Sequence, residues 1–94
     1  MALFLFQGID KSGALETRKA TRPAHLAWLE SLSPRVKIGG PMLSDDGQTP
    51  VGSVLVFEAE TLAEAKALFA QDPYGLAGLW AETNVRPFNW LIKQ

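Results

Sequence analysis

One side chain in this 94-residue chain, His25, can change protonation near neutral pH without help from its surroundings. There is no cysteine, which removes thiolate nucleophiles, thiolate metal ligands and disulfides together. No serine sits in a nucleophile-elbow pattern. The chemistry left is proton transfer, with His25 taking or giving the proton. His25 falls on one helical stripe with Trp28, Leu29 and Leu32, at spacings of three and four. A polar ring among apolar neighbours needs a hydrogen-bond partner or water. Two readings therefore stand side by side: a base facing a pocket, or a structural histidine at the edge of the core.

Four other places could serve a small-molecule site, and each has a plainer role. Asp72 precedes Pro73, where a carboxylate caps the next helical turn. Tyr74 is either a packed ring or a pocket hydroxyl. Arg22 has the planar fork that suits a substrate carboxylate, or it is a solvated helix residue. Gly39-Gly40-Pro41 lets backbone approach a ligand closely, or it is an ordinary bend. A single histidine and no clustered carboxylates give no metal set, and no cofactor-binding pattern is present, so neither metal nor cofactor is expected.

Composition limits the partners. Nine basic residues nearly balance ten acidic ones, and neither sign forms a run, whereas a nucleic-acid binder carries a basic stripe. No stretch approaches the roughly 20 apolar residues of a membrane-spanning helix. Met1 to Phe6 lacks a basic leader and runs straight into Gln7, Gly8 and Asp10, so no export signal is expected and the cytoplasm is the expected location.

The elements that must position these residues can be traced from hydrophobic spacing. Residues 2–9 are apolar on both alternating faces, Ala2, Phe4 and Phe6 on one and Leu3, Leu5 and Ile9 on the other, which marks a strand buried on both sides. A helical pattern spans about 15–32 and is interrupted by Pro23, so the secure helix starts at Arg22 or Pro23. Residues 35–38 alternate as an edge strand does, Gly39-Gly40-Pro41 bends the chain, and Asp45 to Gln48 supplies a turn. Residues 53–59 form a third strand, again apolar on both faces. Thr61 and Glu64 make a capping box for a second helix, which Asp72-Pro73 closes. Residues 74–78 suit a short turn, and an extended stretch of about 80–92 alternates at Phe88, Trp90 and Ile92.

The order β-α-β-β-α-β is that of a single ferredoxin-like α+β domain over 1–94: a four-stranded antiparallel sheet with two helices on one face. The first and third strands are the central ones in that arrangement, and they are the two that are apolar on both faces. Helices cover one face only, so packing against a second copy is expected to cover the other.

Several segments together resemble the YciI-like (YCII-related) family: the strand opening into Asp10, Thr21-Arg22-Pro23-Ala24-His25-Leu26, Gly39-Gly40-Pro41, Asp72-Pro73-Tyr74, and the closing Val85-Arg86-Pro87-Phe88. The similarity covers nearly the whole chain, in the right order and spacing. It implies a ferredoxin-like fold that dimerises into an α+β barrel, with a pocket where a helix histidine and the aspartate of the Asp-Pro-Tyr motif form a catalytic dyad. Those roles fall on His25 and Asp72. Residues 44–50 are short here, so no specificity element carries over to them. The resemblance gives a site and no reaction. With no metal, flavin site or nucleophile in the sequence, the residues themselves leave cofactor-independent proton transfer on a small metabolite: isomerisation, elimination (including loss of halide) or lactone-type rearrangement. Arg22, Trp28, Gly40, Pro41 and Tyr74 would bind the substrate, and Trp28 and Phe6 beside the pocket would favour a flat or cyclic one. The competing expectation is a homodimer that binds a small molecule without transforming it.

Overall fold

A computed structural model of the chain, describing residues 1–94, contains β1 (Ala2–Asp10), α1 (Leu15–Ser31), β2 (Val36–Leu43), β3 (Pro50–Ala59), α2 (Leu62–Phe69), α3 (Pro73–Leu76) and β4 (Trp80–Phe88). The strands make one sheet in the order β2-β3-β1-β4, with every pairing antiparallel. This is the ferredoxin-like α+β fold, and β1 and β3 are its central strands.

Register explains the core. Phe4 lies opposite Phe57 and Phe6 opposite Leu55, so four large side chains meet on one face, and all are buried. Phe69 of α2 stacks on Phe6 and meets Phe57 edge-on, and Trp28 of α1 meets Phe69 at 5.9 Å between ring centres. The opposite face presents Leu3, Leu5 and Ile9 of β1 beside Val54 and Val56 of β3 and Ile38 of β2. Ile9 and Ile38 are exposed there.

A bulge where β4 meets Ile9 and Asp10 re-aims one side chain. Glu82 pairs with Ile9 on the open face, yet Trp80 pairs with Asp10 and turns to the helix-covered face. Trp80 there lies over Gly8, where an added Cβ would come to 2.8 Å from the indole ring. Glycine at position 8 is what admits that ring.

Three boundaries differ from the expectations above. Helix α1 begins at Leu15 and passes through Pro23 unbroken. Proline withdraws only the bond to the Lys19 carbonyl, and both residues face solvent, where water can take that carbonyl. Gly39-Gly40-Pro41 does not bend the chain but lies within β2, paired with Leu55, Val54 and Ser53. An edge strand leaves one side unpaired, so it tolerates a proline. Finally, β4 stops at Phe88, opposite Leu3, one residue short of the start of β1 at Ala2. Trp90 and Ile92 lie outside the sheet.

Candidate functional site

Helix α1 presents Arg18, Arg22 and His25 on the stripe that faces the sheet, one turn apart. The His25 ring is 7% exposed and lies against the Tyr74 ring, 4.0 Å between centres and 22° from parallel. Its Nδ1 is 2.8 Å from Oδ1 of Asp72. A carboxylate can only accept, so Nδ1 carries the proton and the free lone pair of the neutral ring is on Nε2.

Asp72 is fully buried and caps α3, with Oδ1 also accepting the Tyr74 backbone N–H at 2.9 Å. Pro73 at the first helical position fixes the backbone that aims the carboxylate. Oδ2 of Asp72 is buried with no hydrogen-bond partner. One oxygen thus holds both the cap and the imidazole.

A second polar group braces the first. Arg18 donates from Nε to Oδ2 of Asp10 at 2.7 Å, and from Nη2 to Oδ1 at 2.9 Å and to Ser53 Oγ at 3.0 Å. Its guanidinium lies 4.7 Å from the centre of the Tyr74 ring. Burial alone would lower the Arg18 pKa, but the bonds to Asp10 and its charge outweigh that and raise it. Burial pushes the Tyr74 phenol above its ordinary value, against the opposing pull of the Arg18 and Arg22 charges.

These groups border a cavity of about 520 Å³ between α1, the middle of β2, the start of β3 and the turn joining them. That is the size of an ordinary small-molecule site. His25, Arg22, Gly40, Pro41 and Tyr74 line it, as do Arg18, Ser53, Gln48 and Thr49. Asp72 stands behind His25, not in the wall.

Two expected wall residues lie elsewhere. Trp28 points away to Phe69, with its Nε1 buried and unpartnered, and Phe6 is part of the aromatic core. The next helical turn carries Trp28 toward α2, while the side that meets the cavity continues through Leu26 and Leu29. The only aromatic rings in the wall are those of His25 and Tyr74.

Sequence reasoning does not single out Arg18, Asp10 or Ser53 as site residues. Arg18 sits seven positions before His25, two helical turns on the same stripe, which is a readable signal once the helix is known to start at Leu15. The Ser53 contact spans 35 positions and has no local signal. No three His, Asp or Glu side chains come together as a metal-binding set. No helix is long and apolar enough to cross a membrane.

Comparison with known proteins agrees with this architecture. Residues 2–89 match the YCII-related domain. The chain is 38% identical over 93 residues to Protein YciI of Escherichia coli, covering 92% of this chain and 95% of that one. It is also 38% identical over 86 residues to an uncharacterized protein of Haemophilus influenzae, covering 84% and 88%. Among solved structures, the 5-chloro-2-hydroxyhydroquinone dehydrochlorinase TftG of Burkholderia phenoliruptrix, in complex with 2,5-dihydroxybenzoquinone, is 37% identical. It aligns with a TM-score of 0.85 over 93% of each chain. SnoaB, a cofactor-independent oxygenase from Streptomyces nogalater, shares the fold at a TM-score of 0.57 and 11% identity, over 98% of this chain and 94% of its own. The chain belongs to the YCII-related domain family.

Proposed function

We propose that the protein is a cofactor-independent enzyme that moves a proton on a small cyclic metabolite, with His25 as acid and base and Asp72 as its orienting partner. The observation that carries this is the 2.8 Å contact from Nδ1 to a buried carboxylate, made by a ring that lines a ligand-sized cavity. With Nδ1 held by Asp72, Nε2 is the nitrogen free to accept a proton from carbon or hydroxyl. The carboxylate then stabilises the imidazolium until the proton is returned. Returned to another atom of the substrate, it gives isomerisation. When a leaving group departs with its electron pair instead, the result is elimination. The name of the TftG relative denotes loss of hydrogen chloride from a hydroxylated ring, and it favours elimination here. The enzyme would work as a cytoplasmic homodimer, two copies joined through the open sheet face that carries Ile9 and Ile38.

Two assays test the reading. The first follows chloride release from 5-chloro-2-hydroxyhydroquinone. The second follows deuterium uptake at the ring carbons of 2,5-dihydroxybenzoquinone in D₂O, which reads proton transfer without a leaving group. His25→Asn should abolish both. Asp72→Asn retains an acceptor oxygen for the cap but removes the charge, and should slow both by about 10²–10⁴-fold. Deuterium uptake that is catalysed by the wild type and unchanged in His25→Asn would refute the role of the dyad.

A further inference from the structure

Resting on that reading, we infer that the substrate is an organic anion, held by its charged oxygens at Arg22 in the cavity mouth while its carbon body reaches His25. Three positively charged side chains, Arg18, Lys19 and Arg22, line the cavity beside His25, and no acidic one does. The chain as a whole has one more acidic than basic residue, so this imbalance is local. The carboxylates next to the site are already engaged behind the wall. Both oxygens of Asp10 are bound to Arg18, and Asp72 is bound to His25.

Arg22 differs from its neighbours in having no hydrogen-bond or ion-pair partner within the chain. It is exposed, three residues before His25 and four after Arg18, on a stripe whose other two members are buried. A solvated helix face would turn all three outward, so Arg22 stands at the opening of an enclosed space. Its charge reaches the interior, because it is one of the influences that pull the buried Tyr74 phenol downward. Lys19 at the same opening is held only by a 3.9 Å approach to exposed Glu16. Across the cavity stand Gln48, Thr49 and Ser53, which are neutral and repel nothing. A planar guanidinium free to bind two oxygens, in a cavity without competing carboxylates, selects a carboxylate or an ionised enol.

A matched pair of probes tests this apart from catalysis. Benzoate and benzamide share shape and differ in charge. Because the chain has one histidine, the imidazole resonances report its site without ambiguity. Benzoate should shift them with a Kd about tenfold or more below that of benzamide, the preference weakening as salt is added. Arg22→Gln should remove about tenfold of the benzoate affinity and leave benzamide binding unchanged. Circular dichroism would verify that the variant is folded. Equal binding of the two probes, both shifting His25, would overturn the anion inference and leave the dyad in its cavity. If neither probe reaches His25, the anion inference fails and the dyad loses its substrate site with it.

Discussion

Replacing Asp10 by Asn would leave the Arg18 guanidinium buried beside a neutral partner. In the wild type these side chains are 5% and 7% exposed and share two bonds of 2.7 and 2.9 Å. Bonds to charged groups contribute about 1.5–3 kcal/mol each. Breaking a buried pair from one side typically costs about 3–5 kcal/mol, because the surviving charge stays out of water without compensation. For a domain whose whole stability is of the order of 5–15 kcal/mol, that is a large share. The substituted asparagine keeps one acceptor oxygen but sets an amide N–H₂ against the guanidinium. The expected loss is therefore about 3–5 kcal/mol by urea denaturation at neutral pH. The double variant Asp10→Asn/Arg18→Met removes the stranded charge and keeps an unbranched side chain against Tyr74. It should be more stable than the sum of the two single changes predicts, by at least about 1 kcal/mol. A loss below about 1 kcal/mol for Asp10→Asn, the range of exposed pairs, would refute the view that this ion pair braces the site. So would additivity of the two changes.

Alkaline pH gives a second test. Burial raises the Tyr74 pKa above its value of 10.0 in the unfolded chain, so folding favours the neutral phenol. That contribution is intact below about pH 10 and disappears as pH rises from there through the folded pKa. Tyr74→Phe should therefore lose less stability than the wild type between neutral and strongly alkaline pH. Parallel curves for the two proteins would exclude Tyr74 as a source of the loss. For the proposed dimer, light scattering should read twice the 10.3 kDa of one chain, and Ile38→Glu, a charge at a site that is 45% exposed on the open face, should return the single-chain mass. A wild type that runs at the mass of one chain would remove the dimer.

Much of the fold was legible because the rules behind it act over a few residues. Alternation at Phe4, Leu5 and Phe6, and again from Val54 to Phe57, marks the central strands. The Thr61 cap forms through its own third neighbour, with the Glu64 N–H 3.1 Å from Oγ1. The Glu64 carboxylate reaches back to the Glu60 N–H at 2.9 Å. Boundaries that depend on another element were not legible. Helix α1 continues through Pro23, and the Lys19 carbonyl that the proline leaves unbonded lies on the solvent side. Gly39-Gly40-Pro41 becomes a strand only because β3 lies beside it.

The site divides in the same way. Its one titrating ring, the absence of thiol chemistry, the helical stripe that carries His25, and the capping role of Asp72 all follow from residue type and local spacing. Composition and period determine these whatever the rest of the chain does. The contact between His25 and Asp72 joins positions 47 apart, and the bond from Arg18 to Ser53 joins positions 35 apart. Only the packing of α1 and α3 over the four-stranded sheet sets such distances. That packing also turned Trp28 into the core and left Arg22 at the mouth of the cavity. In sequence both are simply residues one helical turn from a histidine.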